Sequence, residues 1–225
     1  MYYLSSIRKD NFVIYFSILF FNLFIDSATF KPAELPLDHS KEDILLWESF
    51  RKGDRDAFAT LFRHHYEALF RYGGKFTDNP GQLEDCIQEL FVELWQSNSR
   101  LPVKSVRAYL LKSLKYKILK TFRRRRTFLP VTDGQGVFEW SHEDYLIAGE
   151  QSAENNKRVL NALDRLSNRQ KEIVYLKYFQ NLSYEEISDV MNINYQVARN
   201  LLYQAIKSLK SLLAAAIAFY FLFPR

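Results

Sequence analysis

The stretch from Leu182 to Leu213 constrains the fold most, because its residues predict two helices joined by a tight turn. Ser183 and Glu186 have the spacing of a capping box at the start of the first helix. The apolar pattern then pauses, and Asn194 can cap a second helix through its side-chain oxygen. In this second helix the apolar residues recur at helical spacing and are expected to face a core. They are Val197, Leu201, Leu202, Ala205, Ile206 and Leu209.

The opposite face of the second helix carries long amide, cationic and aromatic side chains. Its residues are Gln196, Arg199, Asn200, Tyr203 and Lys207. When such a helix lies in a major groove, these side chains can read base edges and hold phosphates. An amphipathic helix pair with a solvated polar face shows the same pattern, because helix-turn-helix geometry is only one use of such a pair. The rest of the chain decides between the two interpretations.

Composition limits the class of protein. A chain of 225 residues can form one or two domains, and an apolar content of 48% excludes a disordered protein. The net charge of +5 is only suggestive of a polyanionic partner. The single cysteine, Cys86, forbids an internal disulfide and suits a reducing compartment. Long alternating runs of β-branched residues are missing, so we predict an all-α protein. We expect two small helical domains joined by a flexible acidic linker, the second containing the helix-turn-helix.

Both ends of the chain are apolar. Residues 12–25 form a run shorter than the roughly 20 residues of a membrane span, and its length suits a signal-peptide core. Because export would contradict DNA binding, we favour a segment that precedes the natural start of translation or has no function, with a membrane tether as the alternative. The expected location is therefore cytoplasmic, with membrane association through this segment left open. Residues 1–42 are assigned as an apolar extension and linker. Residues 214–225 are assigned as an apolar tail that extends the last helix or forms a contact site.

Residues 43–126 predict the first helical domain. Gly53 is expected to end its first helix, and Asp56 is expected to cap the second. His64 and His65 in that second helix are adjacent in sequence and should point in different directions. A pair of metal ligands is therefore not predicted there.

The third predicted helix, residues 82–96, has an apolar inner face and an acidic outer face. The outer face contains Glu84, Asp85, Gln88, Glu89 and Glu93, and no Lys or Arg lies between Lys75 and Arg100. Most faces of this kind are simply solvated. The alternative is a docking face, in which exposed Val92 and Trp95 join the carboxylates.

The sign of the charge then reverses. Ten cations and no carboxylate lie between residues 101 and 126, and this run would repel itself unless a polyanion were nearby. Tyr109 and Tyr116 are interleaved with the cations, which suits contact with unstacked bases and phosphates. A solubilising face and a non-specific RNA-binding patch are the simpler interpretations. The cations are Lys104, Arg107, Lys112, Lys115, Lys117, Lys120 and Arg123 to Arg126.

Residues 127–151 contain glycine, proline and carboxylates without Lys or Arg, and are predicted to be the linker. A negative linker between two cationic domains would avoid DNA and could occupy a cationic channel, and the simpler interpretation is a solvated linker. Helices resume in residues 152–213, which form the predicted second domain. Ser167 and Gln170 have the spacing of another capping box.

These motifs together resemble an extracytoplasmic-function, or group 4, sigma factor of bacterial RNA polymerase. The similarity runs from about Asp43 to Leu213. Residues Ile193 to Tyr195 and Arg199 to Leu201 look like the iron-citrate-uptake type common in Bacteroidetes. The family often has Asn in place of Tyr116 and Asp in place of Lys120. The matching segments are 85–91 with 94–95 for region 2.2, 109–124 for regions 2.3 and 2.4, and 163–166, 182–187 and the helix from Tyr195 for region 4.

The resemblance implies a role for each segment. The helix of region 2.2 grips the coiled-coil clamp of the largest polymerase subunits, and here that role falls to Asp85, Gln88, Glu89, Phe91, Val92 and Trp95. The next loop, 97–105, and the helix after it melt the −10 element and hold flipped bases. The residues implied are Lys104, Arg107, Tyr109, Lys112, Lys115, Tyr116, Arg123 and Arg124. Region 4 reads the −35 duplex, which falls to Asn194, Tyr195, Gln196, Arg199, Asn200, Tyr203 and Lys207.

The resemblance also implies the partners, which are core RNA polymerase, promoter DNA and an anti-sigma factor. No catalytic residue, metal, cofactor or small-molecule substrate is expected, because the sequence lacks the phosphate-loop, metalloprotease and nucleophile motifs of enzymes. One alternative is a stand-alone helix-turn-helix regulator, which would bind specific duplex without polymerase. Another is a membrane protein with a cytoplasmic domain.

Overall fold

The computed structural model describes residues 40–96, 102–125, 138–140 and 162–222. For residues 40, 123–125 and 213–222 it describes the backbone only. The apolar segment 12–25 and the predicted domain boundaries at residues 126 and 151 lie outside this part of the chain. The described part is helical and contains no strand, which confirms the all-α class. Its main helices are α1 (Ser40–Arg51), α2 (Arg55–Gly73), α3 (Pro80–Gln96), α4 (Val106–Arg125), α5 (Asn168–Tyr178), α6 (Tyr184–Met191) and α7 (Tyr195–Leu222).

The described residues pack as two compact units. The first contains α1 to α4 together with residues 185–193, and the second contains residues 138–140, residues 162–184 and α7. Helix α7 continues without a break through Leu222, so the described part of the apolar tail extends the last helix, as one interpretation predicted. None of the described helices combines the length and the apolar character needed to cross a bilayer.

The turn between α1 and α2 follows from its sequence, with one correction. Gly53 has a φ of +95°, a backbone conformation that favours glycine, and it ends the first helix as predicted. The cap of α2 is Asp54 and not Asp56. The Oδ1 of Asp54 accepts from the backbone N–H groups of Asp56 (2.9 Å) and Ala57 (3.1 Å). A capping residue needs an extended backbone, which Asp54 has, whereas Asp56 already lies in the first helical turn.

The core of the first unit is formed by the inner faces of α1 to α4. Helices α2 and α4 each contact the other three helices of this unit. Gly73, at the end of α2, allows the closest approach. A β-carbon at this position would overlap Leu83 of α3 and would lie 3.2 to 3.3 Å from Ile118 and Leu114 of α4. The absence of a side chain at Gly73 therefore lets three helices meet. The largest fully buried side chains are Trp47, Leu61, Leu69, Tyr72, Leu83, Ile87, Leu110, Leu111, Leu114 and Ile118.

His64 and His65 do not point apart, and that expectation was wrong. Both rings reach the carboxylate of Asp43 in α1, with His65 Nε2 3.2 Å from Oδ2 and His64 Nδ1 3.4 Å from Oδ1. Adjacent residues on α2 can do this because Asp43 is buried between them and offers one oxygen to each. Burial alone would raise the pKa of Asp43, but the hydrogen bonds and charges of the two histidines outweigh it and lower that pKa.

The second unit is built around α5, whose capping box forms as predicted. The Ser167 hydroxyl accepts from the backbone N–H of Gln170, and the Gln170 side chain accepts from the backbone N–H of Ser167. In the predicted flexible linker, Phe138 and Trp140 are buried, with 1% and 6% of their surface exposed. The Trp140 ring packs 5.1 Å from the ring of Phe179, where α5 ends. Part of the predicted linker therefore packs against the second unit and is not exposed to solvent.

The inner face of α7 is shifted from the predicted one. Ala198, Leu202, Ala205 and Leu209 are buried and follow one helical stripe. Val197, which was predicted to face the core, is 42% exposed. Its position lies about 100° around the helix from Ala198, so the stripe that buries Ala198 turns Val197 outward.

Candidate nucleic-acid interface and docking surface

The outer face of α3 is an exposed surface that combines negative charge with apolar side chains. Asp85, Gln88, Glu89, Val92 and Glu93 are all exposed on it. We call this face, together with Trp95, the α3 surface. The ring of Trp95 is partly exposed and is held by the rings of Phe58 (5.1 Å) and Phe50 (6.1 Å). The indole is therefore fixed in orientation while part of it still faces solvent.

Phe91, to which the family resemblance gives a polymerase-binding role, lies on the inner face of α3 and is not exposed on the α3 surface. Only 4% of Phe91 is exposed, and its ring packs edge-on against Phe62 (4.9 Å) and Phe58 (5.8 Å) of α2. Phe91 lies on the same side of α3 as Leu83 and Leu94, which are also buried. It supports the surface from below and cannot contact a partner directly.

Lys117 of α4 joins the basic helix to the acidic one. Its ammonium lies 2.7 Å from Glu93 Oε1 and 3.2 Å from Glu89 Oε2, while its own side chain is only 12% exposed. Burial would lower the pKa of Lys117, but the two carboxylates outweigh burial and raise it. The cationic run therefore has counter-charges that are distant in sequence. We expected none of the ten cations to have a counter-charge, and Lys117 is an exception because it pairs with Glu89 and Glu93.

The remaining cations of α4 and the loop before it are mostly solvent-facing. Lys104 and Lys112 are exposed, whereas Arg107 and Lys115 are half-buried, and Lys115 Nζ lies 5.8 Å from the centre of the Phe76 ring. Lys120 is also exposed. The predicted side chains of Arg123 and Arg124, and residues 97–101 of the predicted loop, lie outside the described part.

The two tyrosines of α4 differ in their surroundings. Tyr116 is 67% exposed, so its ring is accessible to a base. Tyr109 is half-buried, and its ring packs edge-on against Trp47 at 5.4 Å. Tyr109 therefore contributes to the core of the first unit, and its face is less accessible than the sequence suggested.

All seven residues predicted to read duplex DNA are exposed at the start of α7. They are Asn194, Tyr195, Gln196, Arg199, Asn200, Tyr203 and Lys207. We call these residues, together with exposed Val197, the α7 surface. Asn194 also caps the helix, because its Oδ1 accepts from the backbone N–H of Val197 at 2.8 Å. The amide of Gln196 donates to Asn200 Oδ1 at 3.1 Å, which aligns the two amides along the helix.

Arg199 lies beside a pair of aromatic rings that sequence reasoning missed in part. Its guanidinium lies 5.9 Å from the centre of the Tyr195 ring. The Tyr195 ring in turn meets the ring of Tyr184 at 5.8 Å with an interplanar angle of 69°. Tyr184 and Tyr195 are the first residues of α6 and α7. That shared position was visible in the sequence, but the contact between the rings depends on the turn geometry.

Metal chemistry finds no support in the described part of the chain, where no three His, Cys, Asp or Glu residues are placed to bind an ion together. The single thiol, Cys86, is buried on the inner side of α3, and burial raises its pKa. A buried thiol with a raised pKa is a poor nucleophile.

Comparison with known proteins gives two family matches in the order seen along the chain. The model for sigma-70 region 2 matches residues 61–128, and the model for sigma-70 region 4 matches residues 156–209. Together these matches span more than half of the chain. Neither model describes an enzyme. The first match holds most of α2 with α3 and α4, and the second holds the helix-turn-helix.

Curated relatives carry the same description. The ECF RNA polymerase sigma factor SigK of Mycobacterium ulcerans (strain Agy99) is 23% identical over 174 residues, covering 76% of this chain and 93% of the relative. The ECF RNA polymerase sigma factor BldN of Streptomyces coelicolor is 28% identical over 179 residues, covering 75% of this chain and 64% of the relative.

A solved structure shares the fold. It is described as CnrH in complex with the cytosolic domain of CnrY, and it aligns with a TM-score of 0.53 at 20% identity, covering 77% of this chain and 97% of that one. With sigma-70 regions 2 and 4 in order and ECF relatives along most of its length, the chain belongs to the extracytoplasmic-function type of RNA polymerase sigma factor, which directs promoter recognition.

Proposed function

We propose that this sigma factor binds core RNA polymerase through the α3 surface, opens the −10 element with α4, and reads the −35 element with the α7 surface. The observation that carries the proposal is that charged and aromatic side chains are exposed at the expected places within both matched regions. A partner protein needs a surface with apolar anchors and complementary charge, which the α3 surface offers through Trp95, Val92 and Asp85. The cytoplasm, where polymerase and promoters are found, is the proposed location.

The role of α4 follows from its exposed ring and cations. Strand separation exposes bases whose unstacking costs a few kcal/mol, and stacking on aromatic side chains offsets that cost. Tyr116 is the exposed ring on α4, and Lys112 and Lys120 are exposed near it in sequence and can attract phosphates. Tyr116 is therefore the residue on which we expect an unpaired base to stack.

The α7 surface suits the major groove of intact duplex. The start of a recognition helix contacts base edges, and there α7 presents Arg199, Asn200 and Gln196. Arg pairs with guanine and Asn or Gln pairs with adenine, in each case through two hydrogen bonds. Exposed Val197 adds an apolar group that suits the methyl group of thymine.

Two finer assignments rest on the family resemblance. Residues 193–195 and 199–201 support the iron-citrate-uptake type of Bacteroidetes. An anti-sigma factor is the proposed regulatory partner, and the similar structure of CnrH, which is bound to the cytosolic domain of CnrY, fits such a mode of regulation. The stand-alone regulator is not favoured, because it would have no use for a region 2 with an exposed docking surface.

Run-off transcription tests the proposal as a whole. Purified chain is mixed with core polymerase and a pool of promoters, and RNA synthesis is expected only when both proteins are present. A gel shift with the same DNA should show specific binding only after core enzyme is added. Specific duplex binding by the chain alone, with no effect of core enzyme, would instead support the stand-alone regulator.

The docking role of α3 is tested by reversing one charge. Asp85→Lys should weaken binding to core polymerase by at least about tenfold, because an unfavourable charge replaces a favourable one at the interface. Asp78→Lys is the matched control, since Asp78 is exposed just before α3 and receives the same change of charge. Equal affinity of both variants and the unaltered chain would remove Asp85 from the interface. We choose Asp85 over Glu89 because a lysine at 89 would also repel Lys117.

A further inference from the structure

Four side chains at the helix-turn-helix form a connected series of cations and rings. Lys177 of α5 lies with its ammonium 5.1 Å from the centre of the Tyr184 ring. The edge-to-face pair of Tyr184 and Tyr195 continues the series, and the guanidinium of Arg199 lies over Tyr195. All four residues belong to the second compact unit. The series therefore runs from the end of α5 to Arg199 on the α7 surface.

One end of the series is fixed to the backbone. The ammonium of Lys177 donates to the carbonyl oxygen of Leu182 at 3.1 Å, just before α6 begins. Leu182 is itself buried, and its backbone N–H donates to the carbonyl of Leu176 at 3.1 Å. Tyr184 thus stands against a cation that cannot move freely. Because Tyr184 is only half-buried, it can transmit this restraint to a neighbouring exposed ring.

The other end of the series needs such a restraint. Arg199 and Tyr195 are both exposed, and an exposed arginine adopts many rotamers in solution. Reading a base edge with two hydrogen bonds requires the guanidinium plane to be held in one orientation. The rings of Tyr195 and Tyr184 meet in the edge-to-face arrangement that aromatic pairs prefer. Cation–π attraction then favours the guanidinium position over Tyr195.

The pKa of the Tyr184 hydroxyl reflects its burial and the charges near it. Burial raises the pKa of the Tyr184 hydroxyl, the nearby positive charge of Arg199 opposes this, and Tyr195 adds to the rise. Burial and the Tyr184 hydroxyl also raise the pKa of Tyr178 at the end of α5. The charge of Arg199 therefore lies close enough to Tyr184 to affect the pKa of its hydroxyl.

We propose that Tyr184 is a positioning residue for promoter selection, which holds Tyr195 and, through it, the guanidinium of Arg199 in the orientation that reads a base pair of the −35 element. Tyr184 acts through its ring and not through its hydroxyl. This inference rests on the proposed function of the α7 surface, and it adds to that surface a residue that does not itself contact DNA.

The test uses holoenzyme reconstituted from the full chain and core polymerase, with a promoter pool randomised across the −35 element. RNA products are sequenced to give the base preference at each position. Arg199→Ala first identifies the base pair that Arg199 reads, because the preference is lost there. Tyr184→Ala should lower the preference at that same base pair by about fivefold, the scale of an exposed cation–π contact combined with an aromatic pair.

Two further variants separate positioning from a general structural effect. Tyr184→Phe should retain the preference, because the ring remains. In the Arg199→Ala background, Tyr184→Ala should cause no further loss at that base pair, because the side chain it positions is gone. A structural role would instead lower transcription equally from all promoters and would leave the base preference unchanged.

The outcomes distinguish this inference from the proposed function. If the unaltered holoenzyme shows no preference across the −35 element, both are overturned. If the holoenzyme has a preference that Arg199→Ala alters and Tyr184→Ala does not, the inference is overturned and the proposed function stands. Independent effects of Tyr184→Ala and Arg199→Ala also overturn it, as does a Tyr184→Phe variant that behaves like Tyr184→Ala.

Discussion

Replacement of Trp140 by alanine tests whether part of the predicted linker is an integral piece of the second unit. The Trp140 side chain is 6% exposed, and its ring lies 5.1 Å from Phe179, 5.8 Å from Tyr175 and 6.1 Å from Phe138. Removing a buried tryptophan costs about 3 to 5 kcal/mol in protein cores. We expect about 3 kcal/mol here, because a surface segment can collapse partly into the space left behind.

Differential scanning calorimetry of the full chain measures this loss. For a unit of this size, about 3 kcal/mol corresponds to a fall in unfolding temperature of roughly 12 to 24 °C. Glu139→Ala is the matched control, since Glu139 lies between the two buried rings with its own side chain exposed. That substitution should change stability by no more than about 0.5 kcal/mol. If Trp140→Ala unfolds at the same temperature as Glu139→Ala, the packing of this segment onto α5 does not exist in solution.

Three further substitutions test the first unit. Gly73→Ala should destabilise it by about 1 to 3 kcal/mol in chemical denaturation, because the new methyl group would press on Leu83, while an unaltered midpoint would contradict the close approach. The pKa of Asp43 is lowered in the folded protein, so the stability that its charged form contributes is present above the ordinary pKa of the group. This stability is lost as the pH falls through the pKa of the folded state. Asp43→Asn should therefore flatten the acid side of a stability-against-pH curve, and an unchanged curve would contradict the contacts with both histidines. Lys117→Met should lower the free energy of unfolding by about 1 kcal/mol at low salt and by less at high salt. The loss is small because both partners are exposed carboxylates that water can solvate again. A loss that does not depend on salt would argue against the ion pairs.

Local features of the fold were predictable from short-range spacing. The capping box at Ser167, the turn at Gly53 and the cap at Asn194 each depend on residues within three or four positions of one another. The inner face of α3 was also correct, because a stripe of Leu and Ile at helical spacing has few alternatives. Val197 was placed wrongly because an apolar residue at the edge of such a stripe can face either way.

Contacts between distant residues were not predictable in the same way. Lys117 meets carboxylates 24 and 28 positions earlier in the chain, and nothing in its neighbourhood indicates which of the α4 cations faces α3. Phe138 and Trp140 lie in a stretch whose glycines and carboxylates predict solvation, so two aromatic residues there had no periodic pattern to support them. Tyr184 was missed because its ring meets the ring of Tyr195, which lies beside Arg199, only after the turn between α6 and α7 has formed.

The contact of Lys117 with α3 changes how the charge of the α3 surface, the proposed docking surface, should be counted in binding experiments. Glu84, Asp85, Glu89 and Glu93 contribute four formal negative charges, but the ammonium held between the last two leaves a net charge of −3 for the group. The negative potential is thus concentrated toward the Asp85 end of the helix. The dependence of core-polymerase affinity on ionic strength should accordingly report fewer ion contacts than the carboxylates of α3 alone would suggest.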